Sequence, residues 1–430
     1  MNILLASKYF FPNGGTEIYL RILLDTLPAL GHACVPFSVA YKDNWPSPYA
    51  KYFVPPPAVP DAPRLEQMRL TPALALRLLE RSTYSFTANR YLRRLLDAVG
   101  PIDVAMALNI YTYLSPSIFH VLAKRGIPIV AQVGDYNMIC PNYQLLRDDT
   151  PCQLCQKGAY YHAVRYRCVK HSLAASTARV AAMYVQRFLK LWDLVDLFLV
   201  PCHFMKKTLV GAGFRPDRLH VLPYAIRVPV EEPSLPKGNY ILSFGRVSRE
   251  KGIDILIRAY QLAAPGVDLV IVGRSYDNEQ QRLQSLIAPA FRERIRFVGF
   301  QEGEALARWI GQALLCVVPS RWYDNAPLAI SESLGHGTAV AGARLGGIPE
   351  QIDEGVDGVL FDPNDPTELA GKLVALLADK PGLARMGLAG RRKTLARHDP
   401  TSHATELVDI FSEVIRAKHR RRHAASGRRA

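Results

Sequence analysis

Tyr240-Ile241-Leu242-Ser243-Phe244-Gly245-Arg246-Val247-Ser248-Arg249-Glu250-Lys251-Gly252-Ile253 opens the second half of a 430-residue chain. Residues 240–244 are a short, nearly continuous apolar run, the pattern of a strand buried on both faces. Phe244-Gly245-Arg246 ends that strand and Lys251-Gly252 begins a helix, so strand gives way to helix within one turn. The plan repeats downstream, with strands expected at 269–272, 295–298, 314–318, 338–341 and 359–361. It also repeats upstream, at 3–6, 35–39, 104–107, 127–133 and 197–200. Helical stretches separate them all. Strands alternating with helices predict an α/β protein with parallel sheets covered on both faces.

Two such halves divide the chain. Residues 1–222 form an N-terminal Rossmann-like domain and 238–398 a second one. Between them, Pro223, Pro229, Pro233 and Pro236 with Glu231-Glu232 mark 223–237 as a linker. A helix over 399–415 is expected to pack back on the N-terminal domain, followed by a basic tail, 416–430. Two doubly wound sheets facing each other leave a cleft lined by the carboxyl ends of their strands, the usual place for a ligand.

Composition narrows the class. An apolar content of 49% is that of a chain able to bury large cores. The first residues lack a secretory pattern, so a cytoplasmic protein is expected. No uninterrupted apolar run of about 20 residues suggests a spanning helix. Of the formal charge of +15, seven charges lie between Arg416 and Arg429, with no acidic residue after Glu413. A second basic stretch, 64–94, sets seven arginines against Glu66 and Glu80, interleaved with Leu, Met, Tyr and Phe. That mixture suits an anionic membrane surface or anionic substrate, or equally a solvated helix face. No nucleic-acid reader motif accompanies the charge, so a nucleic-acid partner is not expected.

Three motifs carry chemistry. Arg246 and Lys251 sit around one strand-to-helix turn, where a guanidinium fork and a compact ammonium can grip a diphosphate and meet the charge that grows as the bond to it breaks. Pro319-Ser320-Arg321-Trp322-Tyr323-Asp324-Asn325-Ala326-Pro327-Leu328-Ala329-Ile330-Ser331-Glu332 places two carboxylates eight residues apart around a helix start. Glu332 can accept hydrogen bonds from vicinal ribose hydroxyls and Asp324 can meet sugar hydroxyls; capping by Asp324 and a surface role for Glu332 are the plainer alternatives. Gly346-Gly347-Ile348-Pro349-Glu350 follows a strand and enters a helix, so backbone amides and a helix dipole can hold the donor's phosphates or sugar.

Taken together in this order, the motifs resemble glycosyltransferase family 4, retaining enzymes of the GT-B fold that use nucleotide sugars. The likeness runs through residues 241–370. Lys8-Tyr9-Phe10-Phe11-Pro12-Asn13-Gly14-Gly15-Thr16-Glu17 is similar to the family's amino-terminal glycine loop, so it extends to both lobes. The resemblance implies Arg246 and Lys251 on the diphosphate, Glu332 on the ribose, and Asp324, Gly346 and Gly347 near the transferred sugar. Gly245, Gly14, Gly15 and Glu350 join the donor site, and Val298-Gly299-Phe300 lies near the nucleobase. It implies a UDP- or GDP-sugar donor, a glycan or lipid-linked acceptor in cell-surface glycan synthesis, and no cofactor required for catalysis. A phosphate oxygen of the leaving group assists acceptor deprotonation on the same face, and no carboxylate nucleophile is needed.

Two positions depart from the family. Asp324 stands where glutamate is usual, a shorter reach that shifts the sugar contact or fills it with water. Gly134 stands where the related enzymes usually carry histidine before Asp135. Asp135 is either a sugar or acceptor contact or a buried strand-end carboxylate. A catalytically inactive nucleotide-sugar-binding protein of the same fold is therefore the second reading. A nucleotide-dependent oxidoreductase is disfavoured, because neither half has Gly-x-Gly-x-x-Gly after its first strand.

Four of seven cysteines, Cys140, Cys152, Cys155 and Cys168, fall in a Cys-rich insertion at about 140–168. A Cys-x-x-Cys pair with two outlying cysteines fits a tetrahedral structural zinc; small core residues are the alternative. Cys34, Cys202 and Cys316 adjoin strands and read as core.

Overall fold

A computed structural model describes residues 1–57, 71–228, 236–276 and 278–426, with side chains to 423. The N-terminal lobe runs β1 (Asn2–Ser7), α1 (Gly15–Ala29), β2 (Ala33–Phe37), α2 (Pro72–Thr83), α3 (Phe86–Ala98), β3 (Val104–Leu108), α4 (Ile118–Lys124) and β4 (Ile129–Gln132). It continues with β5 (Leu146–Arg147), β6 (Thr150–Pro151), α5 (Tyr161–Arg165), α6 (Leu173–Phe188), β7 (Leu197–Val200), α7 (His203–Gly211) and β8 (Leu219–Val221). The second lobe comprises β9 (Tyr240–Phe244), α8 (Ile253–Ala263), β10 (Asp268–Val272), α9 (Glu279–Ser285), β11 (Ile295–Gly299), α10 (Gly303–Gln312) and β12 (Leu315–Val318). Then come α11 (Leu328–Gly335), β13 (Val340–Ala343), β14 (Gly358–Phe361), α12 (Pro366–Ala378), α13 (Lys380–Arg397) and α14 (Pro400–Ser426).

Among the described residues there are two six-stranded parallel sheets, ordered β2-β1-β3-β4-β7-β8 and β11-β10-β9-β12-β13-β14. Period-two alternation makes each strand serve two cores. In β1, Leu4 and Ala6 enter the core on one face while Ile3 and Leu5 enter the other. In the second lobe Ile241 and Leu269 face one core and Leu242 and Val270 the opposite one. Both faces being apolar, the strands read as continuous runs.

β13 begins at Val340, two residues later than the sequence suggests. Thr338 is held before it by side-chain bonds, donating to Ile310 O at 2.7 Å and accepting from Lys237 Nζ at 2.9 Å. The small β5–β6 hairpin and the short β8 were not expected. Residues 229–235 of the linker and 64–70 of the basic stretch, with Arg64 and Arg69, lie outside the described residues.

α14 crosses back to the N-terminal lobe. Ala404, Leu407, Ile410, Phe411 and Val414 complete the core beneath β1 and β3. Fully burying side chains such as Leu407, Ile410 and Phe411 contributes roughly 1.5–3 kcal/mol each. Tyr19 Oη and His403 Nε2 meet at 2.7 Å within this seam. Residues 416–426 continue α14 rather than forming a loose tail, because Lys418 Nζ donates to Asp196 at 2.8 Å and Arg421 lies 3.7 Å from the same carboxylate.

Candidate active site

In the second sheet the chain winds outward one way through β10 and β11 and the other way through β12 to β14. The reversal falls between β9 and β12, whose carboxyl ends leave a crevice. The loops that emerge there are 245–252 and 319–327. Gly245 (φ 125°) turns the chain out of β9, and Gly252 (φ 67°) starts α8 in the left-handed region. A Cβ on Gly252 would stand 2.0 Å from Pro319 O, so only glycine lets the two loops approach this closely.

That approach joins the expected phosphate and sugar groups. Lys251 Nζ donates to Asp324 Oδ2 at 2.5 Å, Ser320 Oγ donates to the same oxygen at 3.0 Å, and the ammonium lies 5.5 Å from the Trp322 ring centroid. Asp324 is buried at 4% exposure, so this is a desolvated ion pair with its charge balanced. Arg246 pairs with Glu250 at 3.1 Å and hydrogen-bonds Tyr143, yet its side chain stays 43% exposed. A guanidinium therefore reaches the cleft.

The 346–347 turn lies directly on this loop. Gly347 N donates to Asp324 O at 2.7 Å. A Cβ at Gly346 would stand 2.5 Å from Asp324 O, and one at Gly347 would stand 1.8 Å from Asn325 O. Glu332 is half-buried on α11, and its carboxylate accepts no hydrogen bond from another described residue; burial lifts its carboxyl to about 7. Gly299 (φ 73°) ends β11 beside the exposed Phe300, over which Arg274 lies 4.8 Å from the ring centroid.

The N-terminal lobe supplies the facing wall. Gly14 leads into α1, and a Cβ on Gly15 would come 3.1 Å from Leu328 Cδ1, which puts the glycine loop against α11. Gly134 O accepts a short bond from Asn325 Nδ2. The space beside Gly134 is taken by Tyr224, whose hydroxyl lies 3.2 Å from where a Cβ would be, with Thr16 Oγ1 at 3.8 Å. Asp135 accepts from Asn137 N at 2.9 Å and Asn137 Nδ2 at 2.8 Å. Burial raises its carboxyl to about 6, against those bonds and the nearby charges of Arg179 and Arg246. Asp135 is thus a partly buried carboxylate beyond the end of β4, within the electrostatic reach of Arg246.

Three carboxylates around the cleft make contacts that the sequence reading does not give. Asp149 accepts from Arg249 at 2.6 Å and lies 3.2 Å from Arg321, tying the Cys-rich segment to the second lobe. Glu350, which the resemblance sets with the donor, accepts from His203 N at 2.7 Å and Phe204 N at 2.6 Å, capping α7 across the cleft. Glu17 is 2% exposed and pushed by burial to about 7, with Lys8 nearby. The last could have been suspected from a carboxylate set inside an apolar helix face; the others join residues about 100 to 170 positions apart and leave no local signal.

Cys140, Cys152, Cys155 and Cys168 are brought around one small cavity of about 20 Å³ and none forms a disulfide. The structure does not present them as a formed metal centre: among the described residues, no three His, Cys, Asp or Glu side chains stand arranged to hold an ion. Nor is any described helix long and apolar enough to cross a membrane.

Comparison with known proteins agrees with this geometry. Residues 238–379 match the family model described as glycosyl transferases group 1. The chain is 29% identical over 231 residues to a D-inositol 3-phosphate glycosyltransferase of Xylanimonas cellulosilytica, covering 49% of this chain and 54% of that one. To the enzyme of the same name from Thermobispora bispora it is 37% identical over 240 residues, covering 53% and 55%. The chain thus spans about half the length of these relatives. In three dimensions it resembles sucrose-phosphate synthase from Thermosynechococcus elongatus (TM-score 0.69, 20% identity, 97% of this chain and 100% of that one). It also resembles Anabaena HepE in complex with UDP-glucose (TM-score 0.60, 17% identity, 96% and 100%). These two likenesses establish the fold, that of two facing Rossmann-like lobes.

Proposed function

We propose, from the premise that this chain belongs through residues 238–379 to the glycosyl transferases group 1 family, that it is a retaining glycosyltransferase using a nucleotide-sugar donor. The observation that carries the reading is the meeting of Arg246, Lys251, Asp324 and the 346–347 turn at the carboxyl ends of β9, β12 and β13, opposite Gly14 and Gly15. Arg246 and Lys251 meet the diphosphate, where fixed positive charge in a partly desolvated site lowers the barrier to its departure. Asp324 and the amides of the glycine turn orient the sugar. Glu332, with free acceptor capacity, takes the ribose hydroxyls. The acceptor enters from the side of Gly15 and Asp135.

UDP-glucose, held by HepE, is the first donor to try, with GDP-sugars beside it. A screen for thermal stabilisation followed by donor turnover tests the assignment, since a ligand that binds only the native state raises its stability. Turnover unchanged in both Arg246→Ala and Lys251→Ala would defeat it. Stabilisation by a nucleotide sugar with neither hydrolysis nor transfer would instead favour an inactive binder, the reading that Gly134 and Asp324 keep in play.

The acceptor we infer is a glycan or lipid-linked hydroxyl at the cytoplasmic face of a membrane. Of the arginines in the basic stretch, Arg81 is buried on Pro55 O and Arg77 donates to Pro57 O, whereas Arg90, Arg93 and Arg94 are exposed. Leu76 and Phe86 are about 70% exposed. Phe188 is 85% exposed at the end of α6, which Gln186 ties to Ser82 O of α2 at 2.8 Å. Cations near an anionic bilayer contribute roughly 1 kcal/mol each, and such rings add insertion. Flotation with anionic vesicles at low salt, lost at high salt, is the expected result; no binding at low salt returns these helices to solvent and favours a soluble acceptor.

A further inference from the structure

The Cys-rich segment between β4 and β7 is anchored at its start, where Ile139, Cys140, Leu145 and Leu146 enter the main core of the lobe, but its later part rests on a small core of its own. Its local core is Cys155, Tyr160, Ala163, Val180 and Met183, with Cys168 packed against it. Against this, eight non-glycine residues between Tyr143 and His171 hold left-handed backbone, at φ from 48° to 60°. L-residues adopt that region at an energetic cost. A chain so turned, with so slight a core, needs a cross-link.

We propose that Cys140, Cys152, Cys155 and Cys168 bind one structural zinc ion. Cys140 leaves the β4 side of the segment, Cys152 follows the β5–β6 hairpin, Cys155 completes the Cys-x-x-Cys turn and Cys168 follows α5. The fold nonetheless brings all four to the wall of one cavity. Four thiolates from such a knuckle are the donor set that zinc takes tetrahedrally. Amides already point at the sulfurs: those of Asn142 and Leu145 at Cys140, and that of Ala163 at Cys155. Such amides are the kind of partner that orients metal ligands elsewhere. Arg147 lines the same cavity, its guanidinium 4.2 Å from the Tyr166 ring centroid and its buried Nε 3.9 Å from Asp148 without a hydrogen bond, and it adds positive charge beside four thiolates around a divalent ion. Binding draws the four sulfurs together around the ion and releases their protons. Cys140 Sγ then gives up its 2.8 Å contact with Asn142 Oδ1.

The site also reaches the cleft. Between its first two ligands the segment carries Tyr143, which bonds Arg246, and Asp149, which bonds Arg249 and Arg321. A metal closing residues 140–168 fixes both against the donor-side loops, whatever sugar is transferred.

Wild-type protein purified without chelator tests this first. Elemental analysis is expected to give about one zinc per chain, released by a mercurial reagent as the four thiols titrate. Growth with cobalt is expected to give the visible absorption of a tetrahedral cobalt thiolate. Cys152→Ser and Cys34→Ser separate the cluster from the remaining thiols: the first loses the metal and the second keeps it. Wild-type protein without metal whose thiols all react freely, or whose cysteines are joined in disulfides, overturns the proposal. So does metal retained in full by Cys152→Ser. Because stoichiometry and cobalt spectrum come from the unaltered chain, a variant that fails to fold leaves the answer intact.

Discussion

Lys251 and Asp324, 73 positions apart, form a part-buried ion pair at 2.5 Å, in which the cation expected on a phosphate and the carboxylate expected on a sugar hold each other. The pairing couples the two halves of the donor site. Removing one partner leaves the other charge uncompensated, whereas removing both need not destabilise the fold.

Lys251→Ala is therefore expected to destabilise the protein by about 3 kcal/mol, the low end for a buried pair, since Lys251 keeps 23% exposure. Lys251→Met combined with Asp324→Asn should recover most of that stability while donor turnover stays lost. Chemical denaturation alongside a turnover assay checks both; recovery of turnover in the double variant would separate the pair from catalysis.

Glu332 sets a pH dependence. Its folded-state carboxyl titrates near 7, above the ordinary value of about 4.3 for a free glutamate. The native state holds the proton more tightly, so its contribution to stability falls as pH rises between those values, and Glu17 acts in the same direction. Ribose hydroxyls donate to the ionised form, so affinity for free nucleotide should strengthen as pH rises through 7, with proton release. Calorimetry in buffers of different ionisation enthalpy measures this. E332Q should weaken nucleotide binding and abolish the released proton; an unchanged profile would leave Glu332 a bystander.

Gly347→Ala pushes a methyl group into Asn325 O and Cys202 Sγ. Overpacking of this kind typically destabilises by about 1–3 kcal/mol. Because the loop displaced is that of Asp324 and not of Glu332, turnover should fall well beyond any loss of nucleotide affinity. Equal losses in the two would place the turn at the nucleotide instead.

Gly134→His restores the residue usual in the resembling family but should lower activity. Tyr224 Oη stands 3.2 Å from where the new Cβ must sit, so the ring beyond it crowds the tyrosine, and Asn325 bonds Gly134 O. Loss of roughly 1–3 kcal/mol with reduced turnover is expected. A gain in turnover would show that the cleft accommodates histidine at this position.

What the sequence disclosed and what it hid follow the range of the forces involved. Strands such as 240–244 and 269–272 were legible because burial on both faces leaves an unbroken apolar run. The three-residue β8, with His220 at its centre, lacks such a run. Turns 245–252 and 346–347 were visible through their glycines, whose need is local. The pairing of Lys251 with Asp324, the capping of α7 by Glu350 and the ties from Asp149 to Arg249 and Arg321 join distant segments, and charge placement alone carries no address.

The return of α14 also orders events in time. The second core of the N-terminal lobe joins Leu20, Leu23 and Leu27 of α1 to Leu407, Ile410, Phe411 and Val414, so during synthesis the part of that face not covered by α1 stays open until the whole second lobe has emerged. At about 5–20 residues per second, the roughly 200 intervening residues keep that apolar face open for some tens of seconds. The nascent chain is then a customer for chaperones throughout that interval, and a ribosome stalled between the lobes displays a surface that quality control can recognise.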